Sequence, residues 1–110
     1  MSEQIDPNVA VDFILKHAKL YAKAKSERVY LTEFRKALKA RLFNESEAKT
    51  IADRENAAYA HPDYLVNLEG IKAAIEQEEL LHWQLVAAQA RVDIWRTCEA
   101  SNRSTDKVTR

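Results

Sequence analysis

The sequence predicts an all-α protein: two long helices in an antiparallel hairpin joined through a short helix, with coiled-coil-like packing and assembly into an oligomeric helical bundle. Three observations carry that expectation. The 110 residues include one glycine and two prolines, too little turn punctuation for a sheet protein, whose strands need Gly- or Asn-Gly-rich connections. Ala, Leu, Glu, Lys, Gln and Arg fill most of the interior, and these side chains lose little freedom in a helix. Apolar residues recur at alternating spacings of three and four over long stretches, the period of helices packed side by side.

Helix A is expected from residue 7 to about 43. Asp6 stands at the N-cap and Pro7 in the first turn, where its missing N–H costs nothing. Its seam reads Phe13, His17, Leu20, Ala24, Glu27, Leu31, Phe34 and Leu38, with polar interruptions at His17 and Glu27. Helix B is expected over about 45–60, with Asn44 as N-cap and Glu47 reaching back in a capping-box pattern; A running on into B is the alternative. The firmest boundary is His61-Pro62, because a residue before proline is pushed out of helical geometry.

Helix C is expected over 62 to about 100, giving a single helical domain over 1–100, and residues 101–110 form a polar tail once SNRSTDKVTR loses apolar periodicity. Gly70 lies inside helix C, at a cost of about 1 kcal/mol; it marks either a close backbone approach or a tolerated weak spot. One seam of helix C runs through Ile71, Ala74, Glu78, Leu81, Leu85, Ala88, Val92 and Trp95. A second stripe holds Trp83, Val86, Ala87, Ala90, Ile94 and Cys98. From Leu80 onward the helix is therefore apolar on two sides and should be buried from two directions.

Two helices cannot enclose a sizeable core by themselves, and the simplest source of more is a second copy of the chain, in a homodimer or higher oligomer. Leu81, Trp83, Leu85, Val92 and Trp95 are the interface candidates for that copy or for a foreign partner; the tryptophans bring large anchoring area.

Net charge is zero, but the signs are segregated. Residues 13–43 carry nine Lys or Arg against Glu27 and Glu33, whereas residues 44–93 carry ten acids against four bases. Pairing of a basic helix A with acidic helices B and C explains this within the fold, since opposite charge selects partner and orientation. The alternative is phosphate binding. Arg28, Arg35, Lys36 and Lys39 share one flank of helix A, with Arg103 and Lys107 in the tail as possible additions. Without a recognition-helix, zinc-finger or ribonucleoprotein motif, such contacts would serve single strands or backbone and not sequence.

Several classes are disfavoured. Cys98 is the only cysteine, which leaves no internal disulfide or cysteine-based zinc site and suits a reducing cytoplasm. MSEQIDPN has no apolar signal region, and no apolar run is long enough to span a membrane. Glu79 and His82 form a Glu-x-x-His pair of the kind found in di-iron bundles, but no second pair exists in the chain. No nucleophilic triad, glycine-rich phosphate loop or carboxylate cleft can be assembled, so neither enzymatic activity nor a cofactor is expected.

Placed on these helices, the runs RVYLTEFRKALKARL (28–42), YAHPDYL (59–65), EELLHWQLVAAQARVDIWR (78–96) and ASNR (100–103) give the chain a resemblance to a known group. From about residue 9 to 103 it resembles small helical proteins of uncharacterised role encoded by tailed bacteriophages and prophages, often near early genes for DNA recombination. No catalytic residue comes with that resemblance. It implies the cytoplasm of an infected bacterium and a non-enzymatic accessory role in phage DNA recombination or replication, binding a protein partner, single-stranded DNA or both. The alternatives are an inhibitor that occludes a host defence or repair nuclease through the acidic face around Glu69, Glu76, Glu78 and Glu79, and a purely structural bundle.

Overall fold

The computed structural model describes residues 4–109. They form three helices, α1 (Pro7–Glu45), α2 (Ile51–Ala60) and α3 (Pro62–Thr109), with no strand among the described residues. The long helices α1 and α3 pack against each other, and the chain divides into two units. One combines the chain up to Tyr21 with Leu80 onward; the other is Ala22–Glu79, which includes α2.

The helix ends follow local chemistry. Asp6 accepts a hydrogen bond from the Asn8 backbone N–H at 2.9 Å, which satisfies one of the donors left over at the start of α1. The break after α1 differs from the expected one. Asn44 does not cap helix B; it lies in the last turn of α1, which ends at Glu45, so its backbone is already helical. Thr50 is the N-cap of α2, its hydroxyl accepting from the Asp53 N–H at 3.1 Å. Residues 46–50 are held by Ser46, whose hydroxyl accepts from the Ala48 N–H at 3.2 Å, and by Arg54, which donates to the Ala48 carbonyl at 2.7 Å. The helices A and B are thus separate, and B starts six residues later than expected.

His61 separates α2 from α3. Its backbone is extended, its own N–H returns to the Ala58 carbonyl, and its imidazole Nδ1 accepts from the Asp63 N–H at 3.0 Å. Pro62 then opens α3, as expected of a proline at a first-turn position. At the other end α3 runs to Thr109, where a tail was expected from residue 101; Arg110 lies outside the described residues. Nothing in SNRSTDKVT forbids helix, the Thr105 hydroxyl donates back to the Ser101 carbonyl at 3.0 Å, and Lys107 in the last turn complements the negative end of the helix dipole.

Burial shows which faces meet. On α3 the residues that are buried or half-buried include Tyr64, Asn67, Ile71, Ala74, Glu78, Leu81, Leu85, Ala88, Val92 and Trp95, an alternation of three and four that contains the expected seam. On α1 the seam is Ala10, Ile14, His17, Tyr21, Ala24, Arg28, Leu31, Arg35, Leu38 and Leu42. This corrects the expected stripe: Leu20, Glu27 and Phe34 are exposed, and Tyr21, Arg28 and Arg35 occupy the seam beside them. Both flanks of α1 carry apolar residues, so composition alone does not choose between neighbouring registers.

Within unit Ala22–Glu79 the α1 and α3 segments run antiparallel, with Arg28 meeting Glu78 and Arg41 meeting Asp63. Their core is the cluster Leu38, Leu42, Ala58 and Tyr64, with Phe43 packed against it. α2 closes this end by inserting Ala58, its one buried residue, and by the edge-to-face contact of Tyr59 with Tyr64 at 5.3 Å. In the other unit the segments are also antiparallel: Tyr21 lies 6.2 Å from His82, and Val9, Ala10 and Phe13 line one hollow with Gln84, Ala87 and Ala88. No large side chain among the described residues is fully buried.

Candidate interaction surfaces

Several polar groups of unit Ala22–Glu79 pair with one another. Glu78, 9% exposed, receives both the Arg28 Nε and, at 3.1 Å, the Arg28 Nη2. A bidentate guanidinium–carboxylate pair sets register as well as energy. Glu78 is the polar seam residue the sequence marks; its partner Arg28, expected on a flank, lies on the α1 seam. Asn67, 7% exposed, donates to the Leu31 carbonyl at 3.4 Å, and its Oδ1 has no protein partner among the described residues. No sequence signal had singled it out, although an asparagine three residues after Tyr64 and four before Ile71 sits in phase with the seam.

These contacts redistribute the basic candidates. Lys39 bonds Glu55 at 3.1 Å and lies 4.4 Å from the centre of the Tyr59 ring. Tyr59 first and Glu55 second hold the Lys39 ammonium above the usual lysine range. Lys36 reaches Glu33 on its own helix at 3.3 Å, and Arg35 is half-buried on the seam. Arg28, Arg35, Lys36 and Lys39 therefore do not make a common open stripe. Arg103 and Lys107 are exposed on the last turns of α3, in the other unit. The segregated charge of the sequence is spent partly on the pairs Arg28–Glu78, Lys39–Glu55 and Arg41–Asp63, which tie α1 to α2 and α3.

The interface candidates separate in the same way. Leu81 is buried, and Leu85, Val92 and Trp95 are half-buried along the α3 seam. Trp83 is 62% exposed and Ile94 52%, and Val86, Ala87, Ala90 and Cys98 are exposed with them. The second apolar stripe of α3, expected to be covered, faces outward in the single chain. A second apolar surface, which sequence reasoning missed, lies in unit Ala22–Glu79. There Tyr30, Leu31, Phe34 and Leu38 of α1 and Val66, Asn67 and Gly70 of α3 line a groove, with Arg41 and Asp63 at its end. The signal for it was the pairing of Tyr30 and Phe34 four residues apart, opposite the lone glycine.

Among the described residues no three His, Cys, Asp or Glu side chains gather as metal ligands, and no helix is long and apolar enough to cross a membrane. No family model, no curated protein and no solved structure matches the chain.

Proposed function

We propose that this is a non-enzymatic protein-binding module, whose working surface is the outward stripe of α3 centred on Trp83 and Ile94. The observation that carries the reading is the exposure of those two side chains beside Ala87 and Ala90. A large aromatic flanked by small residues gives a partner helix both an anchor and close approach, and tryptophan is among the side chains most enriched at binding hot spots. Soluble chains rarely leave contiguous apolar patches of this kind without a use. The partner belongs, on this proposal, to phage DNA recombination or is a host nuclease that the chain blocks.

Single-stranded DNA binding is the weaker reading, because three of the four basic candidates on α1 are already paired with acids and the fourth is on the seam. The two readings part in one experiment. Tagged protein is used for capture from cells that naturally express it, and for titration of a fluorescent oligothymidine at low salt. The expected result is one stoichiometric protein retained by the natural chain and lost with Trp83→Lys plus Ile94→Lys, together with little DNA retention. Salt-sensitive oligothymidine binding that falls with Arg35→Glu, and a captured protein indifferent to the Trp83 and Ile94 changes, would reverse the assignment.

A further inference from the structure

We infer that the groove of unit Ala22–Glu79 is a homodimer interface, in which a two-fold axis parallel to the helices lays α1 of each copy over α3 of the other. This goes beyond the Trp83 surface and stands on different residues.

The groove is complementary to itself in shape. Tyr30 and Phe34 stack on each other at 6.1 Å and form a ridge along α1; Tyr30 is 65% exposed. Across the groove, Val66 is 70% exposed and Gly70 forms a hollow on α3. That glycine is not required by the chain's own packing: its φ is negative, and a Cβ there would meet only Leu31, at the ordinary distance of 3.6 Å. A glycine within a helix weakens it and lets another backbone or side chain come close. Ridge and hollow lie side by side on one face, and a two-fold axis along the helices carries each onto the other. That is the self-complementarity an isologous interface demands.

Its charges are self-complementary as well. Arg41 of α1 and Asp63 of α3 pair at 3.7 Å at the end of the same groove, both exposed. The axis that sets α1 over α3 brings Arg41 of one copy to Asp63 of its partner and the reverse, so the pair becomes an alternating square of four charges. A foreign helix would need both features by coincidence; a second copy has them by symmetry.

The test uses the full chain. Its mass in solution at about 100 μM, where even a micromolar dimer is filled, is expected to be twice the chain mass. Gly70→Leu, which fills the hollow, is expected to weaken the dimer at least about tenfold with helical circular dichroism unchanged. Trp83→Lys is expected to leave it intact, which separates this interface from the partner surface proposed above. In a Cys98→Ser background, Phe34→Cys mixed with Gly70→Cys is expected to crosslink with a short bismaleimide far more than either variant alone. A monomeric mass at that concentration overturns the inference, as does a dimer that resists Gly70→Leu and gives no preferential crosslink. If Gly70→Leu unfolds, Gly70→Ala and the crosslink carry the same decision.

Discussion

At the residue scale, the groups that position this fold are polar ones in apolar places. Glu78 and Arg28 sit on facing seams, 12% and 31% exposed at their side chains. Removing one member of a mostly buried pair strands the other charge, whereas replacing both with apolar residues avoids that cost. Glu78→Ala is expected to lower unfolding free energy by about 2–3 kcal/mol, and Arg28→Met with Glu78→Leu by less than about 1 kcal/mol; urea denaturation of both variants checks the contrast. Lys39 adds a pH-dependent contribution at the alkaline end. Tyr59 and then Glu55 raise its folded-state value, so its contribution is complete below the unfolded lysine value and is lost as pH rises through the folded one. Lys39→Met is expected to flatten the alkaline limb of a melting-temperature profile and to lower its neutral plateau slightly, because the contribution it removes is complete at neutral pH. Of these residues Glu78 was legible in the sequence, because an acid in phase with an apolar seam stands out. Arg28 was not, since on a helix with basic residues on both flanks one arginine looks like its neighbours.

At the scale of the element, the helices were legible where their ends are set by a single covalent restriction, and less so where side chains compete. Pro62 fixes the start of α3 because the residue before a proline leaves helical geometry, and the pattern alone located that boundary. Between α1 and α2 two hydrogen-bonding residues compete, Asn44 and Thr50, and the chain uses the second. Thr50→Ala is expected to cost about 1 kcal/mol of stability, and Asn44→Ala, inside the last turn of α1, no more than a few tenths. Denaturant midpoints of the two variants measure the difference; equal losses would mean Asn44 shares the capping. The α1 seam was misread by one position at alternate steps for a packing reason. Leu20 and Phe34 are as apolar as Tyr21 and more so than Arg28, and only the partner helix, through Glu78, decides which face turns inward. The groove at Tyr30, Phe34 and Gly70 was hidden for the same reason: it exists only once two helices lie together in that register.

At the scale of the whole molecule, the unexpected quantity is how few large apolar side chains are buried: among the described residues, Leu38, Leu42, Tyr64 and Leu81. Hydrophobic burial is the main force opposing chain entropy, so a chain that hides so little of it should draw stability from association. Association has a signature that packing within one chain lacks. When the folded form is a dimer and the unfolded form is not, stability rises with protein concentration, by about 1.4 kcal/mol for each tenfold increase. The urea midpoint of the natural chain is therefore expected to climb as concentration is raised from low micromolar to several hundred micromolar. Filling the hollow at Gly70 opposes the proposed dimer, whereas in the single chain an added Cβ fits at 3.6 Å from Leu31 and replacing a helical glycine adds up to about 1 kcal/mol of helix stability whatever the concentration. Gly70→Leu should thus flatten the concentration dependence while Trp83→Lys should not. A midpoint independent of concentration in the natural chain would mean that the half-buried seams suffice, and that the exposed ridge of Tyr30 and Phe34 is kept for some other chain.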